Sequence, residues 1–176
     1  MNKTFLTFIA WLLLLSACVS EPEVVATSAL KVDLNEVVAA GVVKPVGGMT
    51  AAGQPDEASL KVFADSGYAA VIDLRTAGED RGIDEPAVVK RLGMKYVSLP
   101  IGRNDIQFEK AEMLDELISR YDGPVLVHCG SSNRVGALLA LRASLDGADD
   151  ESAIATGRDG GLASLEGEVR EVLGSM

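Results

Sequence analysis

The chain reads as an α/β domain with a central, mostly parallel sheet flanked by helices, and with a reactive loop set between a central strand and a buried helix. Three observations predict this. Short apolar runs alternate with amphipathic helical stretches along most of the 176 residues, the pattern of layered α/β architecture. The run Ala69 to Leu74 is apolar on both parities apart from Asp73, the mark of a strand covered on both faces. Finally, Pro124-Val125-Leu126-Val127 leads directly into His128-Cys129-Gly130-Ser131-Ser132-Asn133-Arg134, after which a second apolar stretch begins.

Residues 1–17 form no part of this fold. Lys3 gives a short positive start and Phe5 to Leu15 is almost wholly apolar, too short for a comfortable membrane span but suited to a signal-peptide core. Leu15-Ser16-Ala17-Cys18 resembles a bacterial lipobox, in which cleavage leaves the cysteine lipidated at the new N-terminus. The expectation is an exported bacterial lipoprotein whose acyl chains at Cys18 hold it at a membrane, facing the periplasm. Residues 18–40 would be the lipidated N-terminus and tether, and 41–176 the folded domain.

Within that domain, Val42 to Thr50 reads as an irregular or hairpin segment turning at Gly47-Gly48. Gly53-Gln54-Pro55 introduces a helix that Asp56 can cap, with Leu60, Phe63 and Ala64 on one face and Gly67 as its stop. After the Ala69–Leu74 strand, a short helix spans Pro86 to Leu92 and a strand Lys95 to Leu99. Met113, Leu114, Leu117, Ile118 and Tyr121 then make a helical stripe within Glu109 to Tyr121. The strand ending at Cys129 is followed by a helix from Val135 to Leu145. Two helical pieces fill Asp149 to Leu173, broken at Gly160-Gly161.

Composition bounds the function. At 48 % hydrophobic, the chain can build one core but not two. Its net charge of −10 argues against a nucleic-acid surface, although one basic pocket on an acidic body stays compatible with it. Of the two cysteines, lipidation of Cys18 would leave Cys129 as the free thiol, with no intramolecular disulfide available. With one histidine in the chain, no cluster has metal-ligand spacing, and no phosphate-binding glycine loop is present. No cofactor is expected, and the sequence leaves the oligomeric state open.

Cys129 stands where a strand stops and a helix begins. Backbone N–H groups at such a junction lack helical partners, and the helix dipole favours an anion there, whether a thiolate or a bound phosphate. Arg134 follows within the same turn, and its planar fork matches two oxygens of an oxyanion. Gly130, Ser131, Ser132 and Asn133 form the rest of the cradle, although the serines could equally serve as helix caps. His128 would lie beneath the loop, either holding loop carbonyls through a ring N–H or packing in the core. Arg75, at the end of its strand, adds positive charge at the same sheet edge or pairs with Glu79 or Asp80.

Gly53-Gln54-Pro55-Asp56, Val71-Ile72-Asp73-Leu74-Arg75 and Val127-His128-Cys129 to Arg134-Val135-Gly136 together resemble the cysteine-dependent dual-specificity and protein tyrosine phosphatases. The closer resemblance is to the phosphatase-like domain of beta-lactamase-hydrolase-like bacterial proteins, over roughly residues 40 to 173. It implies a cysteine-phosphatase-like fold and hydrolysis of a phosphomonoester through a phosphocysteine intermediate. By this resemblance Cys129 is the nucleophile, Arg134 clamps the phosphate, and Asp105, after the Lys95–Leu99 strand, protonates the leaving group. Two departures bear on the chemistry. Four residues separate Cys129 from Arg134, where typical protein tyrosine phosphatases have five, and Val135 replaces the usual serine or threonine. A tight loop of this length also resembles that of rhodanese-type sulfurtransferases, so a Cys129 persulfide is a second reading and a non-catalytic module for phosphorylated ligands a third.

Overall fold

The computed structural model describes residues 44–46 and 48–175. The signal segment, Cys18 and the tether lie outside the described residues. Helices and strands alternate as the hydrophobic periods predict. β1 (Lys44–Val46) and β2 (Met49–Ala52) form an antiparallel hairpin that turns at Gly48 with φ 80°. Then follow α1 (Glu57–Asp65), β3 (Ala70–Asp73), α2 (Glu85–Arg91), β4 (Lys95–Ser98), α3 (Phe108–Ile118), β5 (Val125–His128), α4 (Asn133–Leu145), α5 (Asp150–Asp159) and α6 (Glu166–Leu173). Asp56 caps α1 by accepting from the Ser59 backbone N–H at 2.7 Å, and Gly67 ends it with φ 82°.

The sheet order is β1-β2-β5-β3-β4, with four strands parallel and only β1 reversed. The sequence presents Val42 to Thr50 as an irregular or hairpin segment; the hairpin forms, and its strand β2 is also the parallel neighbour of β5, which the sequence does not signal. Its Met-Thr-Ala-Ala composition lacks the β-branched run that marks a buried strand. Register places Ala52, His128, Asp73 and Ser98 side by side at the carboxyl end of the parallel strands. A ligand site in an open parallel sheet forms just beyond that end.

Alternation along the strands divides the core into two layers. Ala70, Ile72, Val125 and Val127 face α3 to α6, whereas Val71 and Leu126 meet Leu60, Phe63, Val88 and Val89 of α1 and α2. One predicted core residue is displaced: Met113 on α3 is 37 % exposed, while Ala111 and Leu114 carry the buried face. Helices α4 and α5 approach so closely that a Cβ on Gly136 would lie 2.1 Å from the Leu162 nitrogen and 2.5 Å from the Gly157 oxygen. That packing holds α4 rigidly behind the loop it begins.

Candidate active site

The reactive loop leaves β5 at His128 and enters α4 at Asn133. Hydrogen bonds from the flanking strands fix its first residues: Cys129 N–H donates to the Ala52 carbonyl at 3.4 Å and Gln54 N–H to the Gly130 carbonyl at 3.3 Å. Gln54 thus serves the loop through its backbone. Cys129 is 1 % exposed and is not among the residues that line the pocket in front of the loop. At Ser132 the chain turns with φ 65°, the one positive φ at a non-glycine among the described residues. Such a conformation carries a steric cost for a residue with a Cβ, and it is braced from behind. Ser132 Oγ donates to the Gly160 carbonyl at 2.8 Å, and a Cβ on Gly161 would meet Ser132 Cβ at 2.7 Å.

Asn133 makes the second anchor. Its Oδ1 accepts from the Ala163 N–H at 2.8 Å and the Leu165 N–H at 3.4 Å, and its Nδ2 donates to Ser164 Oγ at 2.8 Å. The side chains of Ser132 and Asn133, read from sequence as ligand groups, therefore tie the loop to the α5–α6 connection. Their reach is to residues about thirty positions downstream, which local sequence cannot signal. Ser131 stays exposed and lines the pocket.

Arg134 folds back over the loop and is half-sequestered. Its Nη1 donates to the carbonyls of Leu74 at 3.3 Å and Ile101 at 3.1 Å, and to Glu79 Oε1 at 2.7 Å; its Nη2 donates to Glu79 Oε2 at 2.5 Å. The Glu79 carboxylate keeps Arg134 charged, and the neighbouring Cys129 acts in the same direction. In return the hydrogen bond from Arg134 holds Glu79 down at about 2. At neutral pH Glu79 is thus ionised and has no proton to give. Thr76 anchors its Oε1 through the backbone N–H at 2.7 Å and Oγ1 at 3.0 Å.

Beneath the loop lies an ionic network whose centre, Asp73, Arg75, Glu85 and His128, is wholly buried. Arg75 donates to Asp73 through Nε at 2.9 Å and Nη2 at 3.0 Å, and its Nη2 also meets Glu85. His128 Nε2 lies 2.6 Å from Glu85 Oε1, while its Nδ1 has no hydrogen-bond partner. The imidazole is therefore turned to the carboxylate below, which corrects the expectation that it holds loop carbonyls. Arg75 likewise pairs with Asp73 and Glu85 rather than with Glu79 or Asp80. Asp73 also accepts from Tyr96 Oη at 2.8 Å and Arg81 Nε at 3.3 Å. Burial pushes the Asp73 carboxyl up, but the hydrogen bonds from Arg75 and the neighbouring His128 outweigh it and hold the group at about 2. The same burial, with the Asp73 carboxylate, drives Tyr96 up to about 12. One oxygen each of Asp73 and Glu85 and one nitrogen of His128 lie within 4.8 Å of one another. The Arg75 guanidinium between these carboxylates already supplies the positive charge a metal would, so this donor set reads as an ion-pair network.

A pocket of about 420 Å³ opens in front of the loop, lined by Thr76, Glu79, Arg103, Ser131, Asn133 and Arg134, among others. Asp105 is not among its lining residues. It closes a 3-10 turn, Arg103–Asp105, by accepting from the Gly102 N–H at 2.7 Å, and it is exposed. Arg103, from the same turn, lines the pocket and pairs with Glu168.

No family model matches the chain. A beta-lactamase hydrolase-like protein of Xylella fastidiosa (strain Temecula1) is 35 % identical over 99 residues, covering 54 % of this chain and 23 % of that protein; the chain thus spans less than a quarter of that relative. A solved structure from Neisseria meningitidis Z2491, assigned to the phosphatases, superposes with a TM-score of 0.65 at 21 % identity, over 77 % of this chain and 98 % of that one. Pseudomonas aeruginosa TpbA, as a C132S variant in complex with phosphotyrosine, gives a TM-score of 0.50 at 20 % identity, over 73 % and 86 % of the two chains. The fold is that of the cysteine phosphatases, and the resemblance to beta-lactamase hydrolase-like proteins read from the sequence stands.

Proposed function

We propose that the chain is a cysteine-dependent phosphatase acting on a phosphomonoester. The observation that carries this reading is the joint placement of Cys129 and Arg134: thiol and planar cation stand at the two ends of one short loop that is braced from behind, with Arg134 on the wall of the pocket in front of it. Support comes also from the bound phosphotyrosine of TpbA, a protein of the same fold.

In the first step the Cys129 thiolate forms a bond to phosphorus as the ester P–O bond breaks, and the leaving oxygen takes a proton. Asp105, as the carboxylic acid, is the proposed donor, its side chain turning from the Gly102 N–H to the leaving oxygen. Arg134 and the loop N–H groups stabilise charge on the equatorial oxygens. Water then attacks phosphorus, the S–P bond breaks, and the water's proton passes to the carboxylate left by the first step. We further propose that Cys18 is lipidated and holds the domain at the periplasmic face of a membrane. Among the described residues no helix is long and apolar enough to cross one.

The four-residue loop supports one rival, transfer of a sulfane sulfur through a Cys129 persulfide. Phosphate release from an aryl phosphate, run beside mass spectrometry after thiosulfate treatment, separates the two. The phosphatase reading expects release that Cys129→Ser abolishes and Asp105→Asn slows by roughly 10²-fold. A persulfide adduct without phosphate release overturns it. Labelled fatty acid retained by the parent and lost in Cys18→Ser is expected for the anchor.

A further inference from the structure

The segment that joins β4 to α3 borders two pockets. Arg103, which begins its 3-10 turn, lines the pocket in front of the reactive loop and also a larger one of about 670 Å³, set between residues 103–109 and α6. The two spaces therefore meet at Arg103. Its side chain is 63 % exposed and pairs with Glu168 of α6, so this ion pair stands at the boundary between them. Asp105, the proposed proton donor, belongs to the same turn. A leaving group that extends past this turn has the larger pocket to enter.

The walls of that pocket specify the chemistry of its occupant. Ile106 is buried and Phe108 and Val172 are half-buried, which gives it apolar surface for a ligand to cover. Beside them stand Glu109, Glu168 and Glu171. Arg103 neutralises Glu168, whereas Glu109 and Glu171 are exposed and have no ion pair among the described residues. Neighbouring cations do not compensate: Arg170 on α6 is held by Glu151 and Glu166, and Lys110 donates to Met113 Sδ at 3.6 Å and does not line the pocket. The net charge of −10 on the whole chain acts in the same direction. A leaving group with apolar body and positive charge complements this wall, while one with further phosphates meets like charge. The phosphoryl group itself is served separately, by Arg134 and the loop N–H groups.

We propose that the pocket between residues 103–109 and α6 is a leaving-group subsite that selects phosphorylated peptides with basic residues beside the phosphorylated one, and that Glu109 and Glu171 set this preference. The proposal rests on the phosphatase reading of the adjoining site. Phosphate release is followed from a phosphotyrosyl peptide flanked by lysines, from the same peptide flanked by glutamates, and from inositol hexakisphosphate. The lysine-flanked peptide should have the highest kcat/KM, exceeding the glutamate-flanked one by roughly tenfold at low ionic strength, with the ratio shrinking as salt is raised. Glu109→Gln combined with Glu171→Gln should bring the two peptides to within about twofold of each other, and Glu171→Lys should lower the ratio further. Both positions are on the surface, so a melting temperature equal to the parent's is expected alongside. Equal or faster release from the glutamate-flanked peptide or the inositol ester, or a ratio unchanged in the double variant, overturns the proposal. If the parent releases phosphate from none of the three, the phosphatase reading fails, and the subsite is judged on calorimetric binding of the two peptides to Cys129→Ser protein. Tighter binding of the lysine-flanked peptide, lost with Glu109→Gln and Glu171→Gln, then upholds the subsite; equal or absent binding overturns it.

Discussion

Two arginine–glutamate pairs frame the reactive loop, and they differ in nearly everything except residue type. Arg75–Glu85 lies beneath it with both side chains 0 % exposed, enclosed by Asp73, Tyr96 and His128. Arg134–Glu79 lies in front of it with side chains 17 % and 32 % exposed, on the wall of a pocket. A fully buried ion pair has left water behind and is held by the groups around it, so removing one partner strands a charge. A pair at a pocket wall keeps access to solvent and to ligands, and its cation has donors to spare. The lower pair is built as scaffold, and the upper one is the pair that the proposed phosphatase chemistry would use.

This contrast can be broken most forcefully from below. Glu85→Ala leaves Arg75 and His128 without their shared carboxylate in the interior, and it should cost about 3–5 kcal/mol of stability, read from urea unfolding. A loss under ~1 kcal/mol would show that the lower network is not a scaffold. Arg134→Lys tests the upper pair. It keeps the charge but loses the planar fork, so phosphate release should fall by roughly 10²–10³-fold while the unfolding midpoint moves little. A comparable loss of stability in both variants would erase the distinction.

Acid separates the pairs more gently. Asp73 and Glu79 are both held at about 2, below their usual values of 3.8 and 4.5. Groups lowered on folding contribute stability that is fully present above the unfolded value and fades as pH falls toward the folded one. The melting temperature should therefore decline between about pH 5 and pH 2. Glu79→Gln should remove only its own share of that decline, a small one because the side chain is partly solvated. A profile identical to the parent's would place the Glu79 shift in doubt.

Much of the fold was legible in the sequence because burial leaves a periodic trace. Ala69 to Leu74 and Val125 to Val127 announce themselves as covered strands, and the helices follow from their stripes and caps. β2 escaped because Met49 to Ala52 owes its burial to neighbours on both sides rather than to its own composition. At the site, the juxtaposition of Cys129 and Arg134 could be read directly, since both lie on one turn. The partners of His128, Ser132, Asn133 and Arg134 could not. Glu85, Gly160, the 163–165 segment and Glu79 each come from another element, brought in by topology and packing, and no local spacing encodes a bond across 28 to 55 residues. A charged residue in an apolar strand, Asp73, was the one visible hint that a buried network lay under the loop.

The left-handed turn at Ser132 has a bearing on redesign. Because Ser132 and Asn133 are fastened to residues 160–165, loop length and linker conformation are a matched pair. Grafting a five-residue loop between Cys129 and Arg134 would drive the added residue into Gly160-Gly161, where even one methyl at Gly161 has no room. A larger anion cradle would have to be transplanted together with its own α5–α6 connection, and any chimera that exchanges the loop alone should misfold locally at the mouth of α4.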